Sequence, residues 1–556
     1  MATRHLVLQA AAVAVLGLAL PGCFDEPGLN PQVFTDSFVD NQYQRFGTAL
    51  GDLSIDPAVK FSGFASIKVT IPSDGCQGAD TTHFCYAGGA LVASTPRDLS
   101  KYNALTFYAK ASTEAAIDSV GLGNDNTGAS KFTVTWNKVA VTTRWTKYYL
   151  PIPVPAKLVS ERGLFFFSAS NLGGTGYTLW IDAIQFENVS AIGPARPVIP
   201  SGAVNRKTGS SIAVSGGTVT YAINDVDQTM VPALSYFDFA SSNPAVATIG
   251  QGGTGAALAV GKAQITATMG GVPADGALTV VVPGVAVDGS TVLAVSQPVF
   301  TDDLIGVDFQ AFGNALGTIA LDSTQMHSGA KSLRIDVPSN GCPGSDGSHF
   351  CYAGGAFVAG TPQDLSFFNA LTFFAKASSP AAKLAVAGLG NDNSGSSRYT
   401  ATITNQALTT DWVKYFVPIP LAAKLSNERG LFFFAANTDG TGGVGYAIYL
   451  DDMQLEGLPS SVLDPAQTRP AFPDTTVNKT ANQTFGPPPT SVTFKINGAD
   501  LTVAALPSYF TWSSDNTAAA TVGSDGSGAT IGPGTAHVSA RLGVLAASGT
   551  LTVNVH

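Results

Sequence analysis

Charge is what this chain is shortest of. Only 12% of its 556 residues are Asp, Glu, Lys or Arg, about half the share of an ordinary globular domain. The 29 basic residues set against 39 acidic ones leave a net charge of −10, with no basic stripe. A phosphate backbone is repelled by such a surface, which argues against nucleic acid as a partner. After the first twenty residues there is no long apolar run and no stretch at helical spacing. Histidine occurs only six times, and no nucleophile elbow, zinc motif or phosphate loop is present. The expectation is a protein that is not an enzyme. What the chain has in plenty is glycine, 60 residues of it, among short alternating segments broken by Gly, Pro, Asn and Asp. That pattern predicts an all-β fold, and the length predicts about three to five domains.

The sequence is duplicated. CQGADTTHFCYAGGA from Cys76 to Ala90 returns as CPGSDGSHFCYAGGA from Cys342 to Ala356. Around it VFTD recurs at Val33 and Val299, FG.ALG at Phe46 and Phe312, NALTF at Asn103 and Asn369, GLGNDN at Gly121 and Gly388, and ERGLFFF at Glu161 and Glu428. Each motif can therefore be tested against its own copy.

Arg4 precedes an apolar segment from Leu6 to Leu20, too short for a comfortable membrane span, followed at once by Leu20-Pro21-Gly22-Cys23. This resembles a bacterial lipoprotein signal, in which a Leu, a small residue and a cysteine to be acylated mark the cut. Pro21 departs from the usual residue there and leaves ordinary signal cleavage open. The resemblance implies a signal peptide over residues 1–22, a lipid on Cys23 and a tether over 23–31. Phe24 stands where an Asp would favour the inner membrane, so the outer membrane or cell surface is expected. Of the five cysteines, four remain after Cys23. An exported chain meets oxidising surroundings, and two local disulfides follow, Cys76 with Cys85 and Cys342 with Cys351. His83 and His349 beside them offer too few ligands for a zinc site.

Strand-like segments SIKVTIP, CYAGGALVA, ALTFYAK, KFTVTW, TKYYLPIP, LFFFSAS and YTLWIDAIQFE, separated by turn clusters, predict a two-sheet sandwich. SGFASIKV, DLSKYNALTFYAKAS, WTKYYLPI and YTLWIDAIQFE, with their counterparts in the second copy, resemble the galactose-binding-like jelly rolls of carbohydrate-binding modules, nearest to family eleven. Jelly rolls are placed at residues 32–190 and 298–458. FASSNPAVATIG, AVGKAQITATMGG and GALTVVV resemble the bacterial Ig-like group 2 domain, placed at 197–283; a linker spans 284–297. A second such domain is placed at 471–556, where Asp515-Asn516-Thr517 departs from the Asn-Pro turn. The expected architecture is two jelly-roll sandwiches alternating with two Ig-like sandwiches that act as spacers.

The first resemblance implies sugar binding. LFFF at Leu164–Phe167 and Leu431–Phe434 does not alternate, and strict pleating puts Phe165 and Phe167 on one face and Leu164 and Phe166 on the other. The outer pair is expected either to floor an aromatic trough for a pyranose or to be covered by a loop or a neighbouring domain. Candidate ligand contacts are Tyr86 and Tyr352 before Ala-Gly-Gly, Tyr108 (Phe374 in the second copy) and Arg162 and Arg429, placed on the face of Leu164 and Leu431. Asn124-Asp125 and Asn391-Asp392 are further candidates, although the same residues are what a tight turn demands. The family also implies a structural calcium held by Asp36 and Asp182, and by Asp302 and Asp451, next to the Ser62-Gly63 and Ser328-Gly329 turns; solvated or capping aspartates are the alternative. Glu161 would give a glycosidase-like carboxylate pair only if folding brought it to Asp125. The expected function is that of a lipid-anchored surface protein binding polysaccharide. A structural or adhesive protein with protein partners is the alternative, and a lyase or hydrolase a more distant third.

Overall fold

A computed structural model of the chain describes residues 31–170, 174–285 and 291–556. The signal segment and Cys23 lie outside the described residues. The first jelly roll is built from β1 (Gln32–Phe34), β2 (Asn41–Arg45), β3 (Asp52–Asp56), β4 (Ser66–Ile71), β5 (Tyr86–Arg97), β6 (Ala104–Ala111), β7 (Ala115–Leu122), β8 (Val134–Val141), β9 (Thr146–Pro151), β10 (Glu161–Ser170) and β11 (Tyr177–Glu187). Its back sheet runs β3-β4-β11-β6-β9 with β1 added on β11, and its front sheet runs β8-β7-β10-β5-β2. The second copy repeats both orders. The fold is all-β, as the composition predicts.

Alternation explains most of the core. In β11, Tyr177, Leu179 and Ile181 are buried while Thr178 and Trp180 are not, and the inner faces of the two sheets meet through Phe107, Phe165 and Tyr148. Strict alternation fails at LFFF. Register shifts between Gly163 and Phe165, because a bulge inserts Leu164. Leu164, Phe165 and Phe167 therefore all join the core, and Phe166 alone faces outward. The expected Leu164–Phe166 pairing on one face is corrected by that extra residue. In the second copy Phe357 pairs with Phe432 and Val358 with Gly430, skipping Leu431 in the same way.

The Ig-like domains are not free spacers. In the first, the strand Val226–Pro232 pairs with β8 through Val231 with Thr135 and Pro232 with Val134, so the front sheet continues into the Ig-like domain as eight strands. The Ala233 N–H donates to Thr133 O at 2.7 Å, and the fully buried Tyr236 hydroxyl donates to Phe132 O at 3.1 Å. Lys157 reaches Asp238 at 2.9 Å. The second half repeats the joint, with Ala401 on Ala505, Thr402 on Ala504, and the Tyr509 hydroxyl on Tyr399 O at 2.7 Å. Pairing covers the otherwise open β8 edge. Contact also crosses from the first half to the second: Asn205 exchanges two 2.9 Å hydrogen bonds with Val295, and Lys207 meets Asp364 at 2.8 Å. Among the described residues no helix is long and apolar enough to cross a membrane.

Candidate functional site

Both predicted disulfides form, Cys76–Cys85 and Cys342–Cys351, with Cα atoms 5.7 and 5.8 Å apart. Each closes a loop that delivers an aromatic residue to the front sheet. The Phe84 N–H donates to Thr48 O at 2.9 Å, and the Tyr86 carbonyl accepts from Leu50 at 3.1 Å and Gly51 at 2.8 Å. This fixes the first residue of β5, and the Tyr86 hydroxyl then meets the Thr48 hydroxyl at 2.6 Å.

Tyr86 does not stand alone. A Cβ at Gly88 would lie 3.0 Å from the Tyr86 ring and 3.1 Å from the Phe46 ring, so the two rings converge over a position that only glycine leaves open. Phe84 beside them is 52% exposed. In the second copy Tyr352 and Phe312 converge over Gly354 at 2.8 and 3.0 Å, Phe350 is 48% exposed, and the Tyr352 hydroxyl donates to Asn314 Oδ1. Next to each glycine the front sheet is shallow and accessible: Ser168 sits opposite Gly88 and beside Ser119, which pairs with exposed Asn137. This aromatic rim with a sheet floor is the candidate site, present twice. Phe46, Phe84, Ser119 and Ser168 were not singled out from sequence. The repeat of FG.ALG was the available signal for Phe46, and its partner Tyr86 lies 40 residues further along.

The expected aromatic floor itself is closed. Phe166 and Phe433 are each only 7% exposed, packed on Ala90, Val92 and Phe46 and on Ala356, Val358 and Phe312. A Cβ at Gly121 would stand 2.5 Å from the Phe166 ring, so that ring lies down on the neighbouring strand. The part-exposed residues of this face, Tyr86, Ser119 and Ser168, lie at its Tyr86 end.

Arg162 lies on the same sheet, roughly 20 Å along β5 from Tyr86; its Nε donates to Ala93 O at 3.1 Å, as Arg429 Nε does to Ala359 O at 3.0 Å. The bulge removes its expected companion Leu164, and among the described residues no carboxylate pairs with either guanidinium. Asn124 and Asp125 flank that far end: the Asn124 backbone lies 2.5 Å from where a Gly163 Cβ would be. Their side chains mostly hold the turn. Asn124 Oδ1 accepts from the Asn126 N–H at 2.8 Å, and Asp125 Oδ1 accepts from the hydroxyls of Thr127 at 2.6 Å and Ser130 at 2.5 Å. Asn126 has φ 59°, the left-handed conformation Asn tolerates. Asn391 and Asp392 repeat these bonds. Tyr108 lies apart from these residues: it belongs to β6 on the back sheet, under Phe61 with ring centroids 3.5 Å apart, and Phe374 lies likewise under His327 at 3.6 Å.

Glu161 and Asp125 are near enough to interact electrostatically, yet their surroundings differ. Burial pushes the Glu161 carboxyl above its ordinary 4.5, with the Asp125 charge adding to the rise, against the N–H groups of Gly163 and Arg162 that it accepts at 2.9 Å. For Asp125 burial also pushes upward, but the Ser130 and Thr127 hydroxyls outweigh it and the pKa falls. A raised folded pKa means stability is gained as pH falls through it and lost as pH rises. Glu161→Gln keeps an oxygen for both N–H groups without burying a charge. It is expected to stabilise the protein near neutral pH, with the advantage over wild type fading as the solution is acidified toward the ordinary glutamate value. Melting curves across that range check both sign and trend.

The four aspartates do tie the sandwich together, through N–H donors. Asp182, fully buried in β11, accepts from Phe61 N at 2.8 Å and Ser62 N at 3.1 Å with one oxygen and from Ala183 N at 2.7 Å with the other. Asp36 accepts from Phe64 N and from Ala65 N at 3.1 Å. Asp451 and Asp302 repeat this on His327, Ser328, Ala330 and Lys331. Burial pushes the pKa of Asp182 and Asp451 up. These N–H groups take up lone pairs that a calcium ion, which wants six to eight oxygens, would otherwise use, and among the described residues no three His, Cys, Asp or Glu side chains cluster.

Residues 211–280 match the family description "Bacterial Ig-like domain (group 2)". No curated protein matches the chain. Among solved structures, the family 30 carbohydrate-binding module of a Clostridium thermocellum cellulosomal cellulase is 17% identical, with 29% of this chain and 97% of that one covered, at a TM-score of 0.21. The family 11 module of the Clostridium thermocellum cellulase Lic26A-Cel5E is 12% identical over 29% and 95%, also at 0.21. The CBM22-1–CBM22-2 tandem of Paenibacillus barcinonensis Xyn10C is 12% identical over 77% and 97%, at 0.20.

Proposed function

We propose that this is a non-catalytic surface protein that binds polysaccharide through its two jelly rolls, exported and held to the membrane by a lipid on Cys23. The observation that carries the reading is the rim itself. Tyr86 and Phe46 converge over Gly88, Tyr352 and Phe312 over Gly354, and both pairs stand beside part-exposed residues of the front sheet. Ring faces and a flat floor suit the C–H-rich face of a pyranose, while the Tyr86 and Thr48 hydroxyls suit its edge. The two disulfides agree with an oxidising compartment. Each Ig-like domain is joined edge to edge to the module of its own half, and the halves touch through Asn205 with Val295 and Lys207 with Asp364. One glycan that spans them gains avidity without new contacts.

The full chain on a glycan array is expected to bind neutral polysaccharides without releasing reducing ends from them. A blank array overturns the reading, and reducing-end release revives the enzyme. Chelation by EDTA is expected to leave the melting temperature unchanged. A fall of several degrees would show that calcium displaces the N–H donors now facing the four aspartates.

A further inference from the structure

We infer that the two troughs read different faces of a sugar ring, the first a face carrying a projecting hydroxyl, the second a face made of C–H groups alone. This rests on the glycan-binding reading above. The rims match, but the floors beside them do not. In the first copy the residue opposite Gly88 is Ser168, its neighbour on β7 is Ser119, and the two hydroxyls meet at 2.9 Å. In the second copy the residue opposite Gly354 is Ala435 and its neighbour is Val386, which joins the small apolar cluster around Phe433. All four positions are part-exposed, so a ring seated against the rim rests on them.

Two serine hydroxyls carry two donors and four acceptor lone pairs, and their mutual bond uses one of each. One donor and several lone pairs are left for a ligand hydroxyl directed down at the sheet. Val386 and Ala435 offer nothing to such a hydroxyl, which would lose its water without replacement. Conversely, an all-equatorial ring lays only C–H groups on the floor. That suits Val386 and Ala435 and leaves the free Ser119 or Ser168 donor covered and unpaired. Axial hydroxyls are what project from a ring face. The first site therefore selects sugars with an axial hydroxyl, and the second all-equatorial ones. A glycan that carries both kinds of ring engages the two rims together, each through the ring face it prefers.

Mannohexaose and cellohexaose, both β-1,4-linked and differing only in the orientation of one hydroxyl per ring, separate the two sites. Full-length Tyr352→Ala, which leaves the first site, is expected to bind mannohexaose about tenfold more tightly than cellohexaose, and full-length Tyr86→Ala to show the reverse. Adding Ser119→Val and Ser168→Ala to the former, or Val386→Ser and Ala435→Ser to the latter, should invert each preference, with melting curves confirming that both folds are intact. Equal ranking of the two sugars by both single-site proteins, or binding of neither, overturns the inference. If the wild-type chain still binds neutral polysaccharide in that case, the glycan reading stands; if it does not, that reading falls too.

Discussion

Replacing Asp182 by alanine is expected to lower the stability of the first jelly roll by about 2 to 4 kcal/mol, the cost of stranding N–H donors inside the protein. The carboxylate serves three of them, on Phe61, Ser62 and Ala183, from a position with no solvent exposure. Those bonds also hold the turn that lays Phe61 over Tyr108, with Trp145 6.1 Å from Phe61. Asparagine is not a safe substitute, because both oxygens accept and its amide nitrogen would face a donor. The duplicate offers an internal control. Asp451 makes the same bonds, but Asp452 holds the corresponding turn a second time, through His327 Nδ1 at 2.7 Å and the Ser328 hydroxyl at 2.8 Å. Asp451→Ala should therefore disturb its turn less than Asp182→Ala, where Ala183 offers no such help. Urea unfolding followed by tryptophan fluorescence checks the order.

Removing the first disulfide with Cys76→Ser and Cys85→Ser is expected to cost about 2.7 kcal/mol, the chain entropy of a ten-residue loop. The effect reaches the site, because the loop it closes sets Phe84 and the start of β5, and with them the Tyr86 ring over Gly88. Binding by the first rim should weaken in that variant while the second, with its own Cys342–Cys351 bridge, is unchanged. Equal loss at both rims would mean that the loop acts on general stability alone.

What the sequence shows plainly is whatever depends on local pattern and on repetition. Alternation and turn residues give the strands, the two copies give the duplicated module, and the close spacing of the repeated cysteines gives both bridges. What it conceals depends on register and on which strands become neighbours. The bulge that sends Leu164 into the core is a one-residue slip in the pairing of β10 with β5, and nothing in ERGLFFF announces it. Tyr108 and Tyr86 both sit on strands with an outward face, but the two strands belong to opposite sheets, so resemblance of type did not mean nearness. The convergence of Phe46 and Tyr86 joins residues forty positions apart. The edge pairing of Val231 with Thr135 requires two domains to be docked before it exists. In Asn124-Asp125 the turn chemistry visible in sequence is what the structure uses, since those side chains bond their own loop.

The central claim is that two aromatic rims, each built on a tyrosine over a glycine, hold carbohydrate. Affinity electrophoresis of the full chain through gels cast with neutral polysaccharide tests it most directly. Wild type should be retarded, Tyr86→Ala and Tyr352→Ala each retarded less, and the double variant should migrate as it does in a gel without polysaccharide while keeping the wild-type melting temperature. A double variant retarded as strongly as wild type would contradict the account.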